Sequence, residues 1–320
     1  MRKLLYLSLN KLFSYALTLF ILVTIVFFMI RITPGEPSAK YLSPGFNLEL
    51  SKKIEDSFHL NESLVSQYSA FIGNVIRGDF GISYQYHLPV FRVIMDYLPF
   101  TVIFAAVSFI IQFAGGISIA SALSRRKNPK LTSIADSIAL IIYSMPAFLI
   151  GIILIYIFSV KLNLLPSADL SGSGGGFWDT VVHMILPVIT LSLPGMVLFY
   201  KYASENINTV KGKNYIKYLR SEGIEERIIY RKHIIPNILP PLISLSAVEL
   251  SILLGGALVT EVLFNLPGMG RVTVTAILQR DYPLIIASTI ITGFFVIMCG
   301  LAGEIIRGIL DKRNIKDFTG

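Results

Sequence analysis

The chain has 320 residues, of which 53% are hydrophobic and only 15% charged, with a mean hydropathy of +0.67 and a formal net charge of +8. Soluble domains carry roughly 25% charged residues, so an ordinary soluble globular protein is excluded. A single cysteine, Cys299, rules out a disulfide framework or a cysteine-based metal site, and four scattered histidines (His59, His87, His183 and His233) offer no ligand cluster.

Six segments are long and apolar enough for the roughly 20 residues of helix that cross a bilayer, and they define an all-α integral membrane protein. The first, 12–30, carries no charge. Its apolar core is too long for a signal peptide and no small-x-small cleavage pattern follows, so it is read as a retained span. Residues 31–99 then form a loop too long for a simple connector. It opens with the turn-like TPGEP (33–37). Asn61 is placed to cap an amphipathic helix whose apolar positions Leu64, Val65, Tyr68, Phe71, Ile72, Val75 and Ile76 keep helical spacing, and RGDFG (77–81) ends that helix. This segment reads as a cap that meets a partner or substrate, or as a lid packed on its own spans, and one helix can serve both.

The second span, 101–123, contains GGIS (115–118), superficially a Gly-x-Ser nucleophile. Such chemistry needs a positioned base, and the only histidine within a span is His183, near the outer end of the fourth. Close helix packing explains the small residues more simply. The third span, 137–160, follows Asp136 and holds YSMPAF (143–148), where mid-span Pro146 predicts a bent helix with a freed carbonyl. A bend of this kind serves packing, or lines a pathway where protein or water covers it. GSGGG (172–176) lacks the Gly-Lys-Ser/Thr ending of a phosphate loop and reads as a flexible connection. Pro187 and Pro194 repeat the bend in the fourth span, 181–200.

Between that span and the fifth, 238–260, lies the longest charged interval of the second half, within 201–237. Asn214 is positioned to cap a short helix over 215–222, and Gly223 sits where a left-handed helix end is wanted. A second helix should carry Glu225 and Glu226 in its first turn and Arg231 and Lys232 in its last, the order the helix dipole favours, and stop at Pro236. A surface helix–glycine–helix between spans reads as a docking element for a cytoplasmic partner. The fifth span contains one acid, Glu249, which costs about 2.5–3.5 kcal/mol on insertion scales if unpaired. It should face the interior or a wet cavity, with Gln112 and Ser144 as candidate polar partners; a buried carboxyl that is protonated or satisfied structurally is the plainer reading. EVLFNLPGMGR (261–271) and RDYP (280–283) suggest a loop dipping back toward the membrane before the sixth span, 284–303.

Basic residues fix the orientation. With both termini cytoplasmic, 19 of the 28 lysines and arginines fall on the inside, and most of the other nine sit in the long 31–99 loop, where the bias counts for little. Topology therefore explains the net charge, and nucleic acid is not needed as a partner. No stretch offers a nucleotide site, so any ATP must be supplied through another chain.

Several of these stretches together resemble one family, the permease subunits of binding-protein-dependent ABC importers, and more narrowly the first of the two permeases in oligopeptide, dipeptide and nickel importers. The resemblance runs through PGEP (34–37), RGDFG, LPFT (98–101), SMPAF, LLP (164–166), HMILP (183–187), the Gly223 loop, EVLFNLPGMGR and RDYP, in order over nearly the whole chain. There are departures: Leu219 and Ser221 replace small alanines before the loop glycine, Asn214 stands where an acid often precedes the aromatic, and the Asp-Pro-Arg after the last span is Asp311-Lys312-Arg313.

The resemblance implies the ABC importer permease fold as a single domain, in a bacterial or archaeal cell membrane, surrounded by lipid. It implies alternating access, with a second homologous permease, two cytoplasmic ATPase subunits that hold ATP and Mg, and an extracytoplasmic substrate-binding protein or lipoprotein. This chain would itself hold no cofactor, metal or catalytic residue. Tyr215, Tyr218 and Leu219 would fill an apolar groove on the ATPase, Arg220 and Glu222 would supply rim charges, and Gly223 with Ile224 would set the angle between the helices. Ser144, Met145, Pro146 and Glu249 are the pathway candidates. The absence of a His/Cys/Asp cluster favours peptides over nickel as cargo. A secondary transporter is the reading from another class, but its usual mark, an internal repeat, is not evident between the two halves.

Overall fold

The computed structural model describes residues 2–32, 63–126, 128–171 and 175–310. PGEP, Asn61, Gly172–Gly174 and Asp311-Lys312-Arg313 lie outside them. Ten helices occupy the described residues: α1 (Arg2–Ile32), α2 (Leu64–Ile76), α3 (Val90–Arg126), α4 (Pro129–Ser144), α5 (Ala147–Lys161), α6 (Phe177–Lys211), α7 (Asn214–Ser221), α8 (Glu226–Leu263), α9 (Met269–Gln279) and α10 (Tyr282–Leu310). By length and composition α3, α6, α8 and α10 each suffice to cross a bilayer, α4 with α5 makes a fifth if taken as one broken span, and α1 contributes the apolar stretch Phe13–Met29. The six apolar segments of the sequence are compatible with this set. α6, with 35 residues, is on the order of 50 Å long at 1.5 Å per residue, so its ends project beyond a hydrocarbon core of roughly 30 Å.

The chain forms two compact units, Met1–Thr101 with Pro267–Ile297, and Val102–Leu266 with Met298–Gly320. In the first, Ser63 caps α2 by accepting from the Ser66 N–H at 3.3 Å. α2 lies against α1: Phe71 stacks on Phe27 with centroids 5.1 Å apart, and the Tyr68 and Thr24 hydroxyls are 2.7 Å apart. Phe71, Ile72 and Val75 pack around Val23, Ile286 and Ile290, so this helix lies against its own spans. α2 ends at Ile76, with Gly78 just beyond it at φ +76°. A second core gathers Val90, Val93 and Ile94 of α3, Met269, Val272 and Ala276 of α9, and Leu284 and Ala287 of α10. α9 corrects the expectation of a loop: between NLPG and RDYP the chain winds an 11-residue helix.

That unit is locked by Asp281, which is fully buried. Arg280 turns left-handed at φ +58° and ends α9. The Asp281 carboxylate then accepts from Ser83 Oγ at 2.5 Å, the Gln85 N–H at 3.0 Å and the Leu284 N–H at 3.3 Å. It thus caps the first turn of α10 and holds residues 83–85 through one side chain.

In the second unit α3 packs closely on α6. A Cβ added at Gly116 would come within 2.7 Å of the Met196 carbonyl oxygen and 2.8 Å of the Tyr200 nitrogen, which is the close approach expected from GGIS. Pro187 and Pro194 do not interrupt α6, which is continuous across both. Pro146 does more than bend its span: α4 stops at Ser144, Met145 and Pro146 are extended (ψ 135° and 139°), and α5 leaves at 108° to α4. The residue before a proline is pushed out of the helical region, and here the helix breaks completely.

Candidate functional site

The stretch after α6 folds into a compact corner. Gly212 and Lys213 end α6 and open α7. Asn214 is the first helical residue and not the cap: Lys213 occupies the cap position and no side chain fills that role. α7 closes with both hydrogen bonds of a Schellman motif: the Gly223 N–H donates to the Arg220 carbonyl at 3.1 Å and the Ile224 N–H to the Leu219 carbonyl at 3.2 Å. Gly223 stands at φ +74° with open space around its Cα, so the requirement for glycine here is one of backbone and not of crowding.

Inward, Ile216 is fully buried and Leu219 and Ile224 lean on the same core, formed by Ile207 and Val210 of α6 and Ile229, Tyr230, Ile234, Ile238 and Leu242 of α8. Outward, Tyr215, Tyr218 and Glu222 are exposed. Their i, i+3, i+7 spacing makes one stripe along the helix. The sequence expectation for the seven docking residues is therefore divided. Tyr215, Tyr218 and Glu222 face out; Leu219 and Ile224 support the corner from within; Gly223 makes the turn. Arg220 is taken up internally. Its Nε and Nη2 donate to the two Glu226 carboxylate oxygens at 3.1 and 2.8 Å, and this pairing raises the guanidinium pKa further above its ordinary value.

The second helix also departs from expectation. It does not stop at Pro236; Glu226–Leu263 is one helix, wound as a π-helix over Tyr230–Ile234. The wider turn lets the chain run on past a residue that has no N–H to give. Arg231 and Lys232 thus lie in the second turn of a long helix and not in a last turn. Sequence reasoning passed over Tyr230, whose hydroxyl donates to Ser124 Oγ of α3 at 2.8 Å. The sequence signal there is slight: an aromatic that follows two isoleucines and precedes two cations.

The pathway candidates do not converge on one point. Ser144 and Pro146 are exposed at the break between α4 and α5, and the Ser144 hydroxyl donates to the Leu140 carbonyl at 2.8 Å. Glu249 is 8% exposed on the face of α8 that also buries Leu242, Ser246 and Leu253. Among the described residues it has no hydrogen-bonding or ionic partner. Neither suggested partner reaches it: Ser144 is engaged locally, and the Gln112 carboxamide lies against Gly195. An open polar groove of about 890 Å³ runs between α3, α4 and α6, where Lys201 pairs with Asp136 at 2.6 Å.

Residues 112–316 match the family of binding-protein-dependent transport system inner membrane components. The chain belongs to that family. This transport component is 30% identical to the oligopeptide transport system permease protein AppB of Bacillus subtilis (strain 168), over 91% of its own length and 93% of the relative's. It is 29% identical to the dipeptide transport system permease protein DppB of Lactococcus lactis subsp. cremoris (strain MG1363), over 95% and 97%. It is 28% identical to the glutathione transport system permease protein GsiC of Escherichia coli (strain K12), over 92% and 94%. Its fold is that of a chain in the inward-facing MetNI methionine ABC transporter, with a TM-score of 0.53 at 17% identity, covering 69% of this chain and 95% of the other. It is a membrane-spanning permease subunit of the ABC importer class.

Proposed function

We propose that this permease passes peptides across the membrane by alternating access, paired with a second, homologous permease and fed by an extracytoplasmic binding protein. Two cytoplasmic ATPase subunits bind and hydrolyse the ATP, with its Mg, and one of them docks on α7. The termini and the α6–α8 corner face the cytoplasm, as the distribution of basic residues favours. The observation that carries this reading is the exposed Tyr215–Tyr218–Glu222 stripe, held on a short helix whose far end is fixed by Gly223 and whose inner face is packed into the core. An outward-facing aromatic pair on a short helix packed into the core is suited to fill a groove on a partner and to carry force from it. Peptide cargo is the reading because the similar permeases named above are described by oligopeptide and dipeptide transport. Ser144, Met145, Pro146 and Glu249 are assigned to the pathway.

The test is reconstitution with the ATPase, binding-protein and second-permease chains of the same organism. Binding-protein-dependent uptake of labelled peptide, driven by ATP, is the expected result. Replacing Tyr215 and Tyr218 together by Ala should abolish co-purification of the ATPase. Retained ATPase with normal uptake would remove α7 from the docking role, and uptake by the isolated chain down an ion gradient would return the secondary-transporter reading.

A further inference from the structure

Tyr230 joins three segments at the base of the docking corner. It is fully buried, at the first position of the π-helical stretch in α8. Its hydroxyl donates to Ser124 Oγ at 2.8 Å. The same Ser124 accepts from Lys211 Nζ at the end of α6, at 2.6 Å on its hydroxyl and 2.8 Å on its carbonyl. Two cations lie within cation–π range of the Tyr230 ring: Arg125 of α3, with Cζ 4.8 Å from the ring centroid, and Lys211, with Nζ at 5.1 Å. One aromatic side chain therefore ties the start of α8 to the ends of both α3 and α6, through its hydroxyl and its ring.

Two features extend the reach of this junction. Toward the surface, the Arg220–Glu226 pair closes the angle at Gly223, so α7 is coupled to the turn that leads into Tyr230. On the side away from α7, Ser124 and Lys211 are also walls of the open polar groove that includes Asn128, Thr132, Asp136 and Lys201. Ser124 and Lys211 are thus shared between the Tyr230 junction and the groove.

We propose that Tyr230 is the positioning residue for coupling: its hydroxyl transmits movement of α7 to the ends of α3 and α6 and thereby to the polar groove. This rests on the reading of α7 as the ATPase docking helix. Tyr230 touches neither cargo nor ATP. It acts through Ser124 and Lys211.

Tyr230→Phe preserves the ring, its packing and the cation–π contacts and removes only the hydroxyl. In the assembled transporter in proteoliposomes, ATPase subunits should co-purify as with the unaltered chain and ATP hydrolysis should continue. Peptide uptake per ATP hydrolysed should fall about three- to tenfold, the factor expected from one hydrogen bond. Ser124→Ala removes the same bond together with the Lys211 contact to the Ser124 hydroxyl and should give at least the same loss, and the double variant should lose little more than Ser124→Ala alone. A purely structural role would lower the amount of complex and leave the ratio of uptake to hydrolysis untouched. An unchanged ratio in Tyr230→Phe and in Ser124→Ala, with normal ATPase retention, overturns this inference alone. If the unaltered chain retains no ATPase subunit, the docking reading fails and takes the inference with it.

Discussion

Arg220 reaches over Gly223 and grips Glu226 with two parallel hydrogen bonds, Nε to Oε2 at 3.1 Å and Nη2 to Oε1 at 2.8 Å. The side chain that the sequence offers as a charge for a partner is thus a brace across the hinge. Both side chains are about one-third exposed, so the pair contributes only about 0.2–1 kcal/mol to stability. Its larger effect is geometric, because the planar fork fixes an angle that a point charge cannot.

Arg220→Lys separates the two roles. It keeps the charge and loses the fork. If the brace matters, Arg220→Lys and Glu226→Gln should each leave the melting temperature of the purified chain nearly unchanged and each lower uptake per ATP by a similar factor. Impairment in Arg220→Lys with full coupling in Glu226→Gln would show that Arg220 works outward after all.

Gly223 permits a sharper comparison, since nothing within 4 Å would obstruct a side chain there while its φ of +74° penalises one. Left-handed backbone costs an ordinary L-residue roughly 1–2 kcal/mol, and asparagine less. Gly223→Asn should retain ATPase binding and most uptake, whereas Gly223→Val should release the ATPase in a co-purification assay. Equal loss in the two variants would mean that any side chain is excluded at this position in the complex, and equal retention that the left-handed turn does not govern docking.

The hinge was legible in the sequence because it is written in local chemistry: a glycine that ends a helix, flanked by polar residues between apolar runs. Apolar periodicity likewise revealed α2 and the packed side at Phe71, Ile72 and Val75, while Leu64, Val65 and Ile76, on the same expected face, are exposed. What escaped depends on partners distant in the chain. Arg220 and Glu222 look equivalent as exposed charges until Glu226 folds back beside one of them. Pro146 and Pro236 carry the same local signal, yet α4 breaks before one and α8 passes through the other, because a π-helical turn lies just ahead of Pro236 and extended Met145 ahead of Pro146. Asp281 lies 198 residues from Ser83 in the chain, and no spacing rule connects them.

The Ser83–Asp281 contact predicts where the first unit is vulnerable. Both residues are fully buried, and a hydrogen bond to a buried charge is worth about 1.5–3 kcal/mol. Asp281→Asn keeps the shape but forces one amide hydrogen toward donors that already point inward. The detergent-purified variant should melt several degrees lower, and limited proteolysis should cut near residues 83–89 first. Ser83→Ala should be milder, since the Gln85 and Leu284 amides still reach the carboxylate. Unaltered melting and cleavage in Asp281→Asn would mean that the clamp contributes nothing to holding the segment.

Glu249 poses the opposite case, a buried acid with no hydrogen-bonding or ionic partner among the described residues. Its surroundings on α8 are Leu242, Ser246 and Leu253, and a charged residue at the centre of a membrane helix costs about 2.5–3.5 kcal/mol on insertion scales. Stability alone would favour leucine there. Glu249→Leu should therefore melt at the same temperature as the unaltered chain or higher, with normal membrane insertion. If the carboxyl serves the pathway, for example by receiving the ammonium end of a passing peptide, uptake should fall about tenfold or more in both Glu249→Leu and Glu249→Gln, the factor for about 1.4 kcal/mol of lost interaction. Peptides with a blocked amino terminus should then show a smaller difference between the variants and the unaltered chain. Unchanged uptake in both variants would reduce the residue to a packing detail, and loss in Glu249→Leu alone would point to polarity and not to charge.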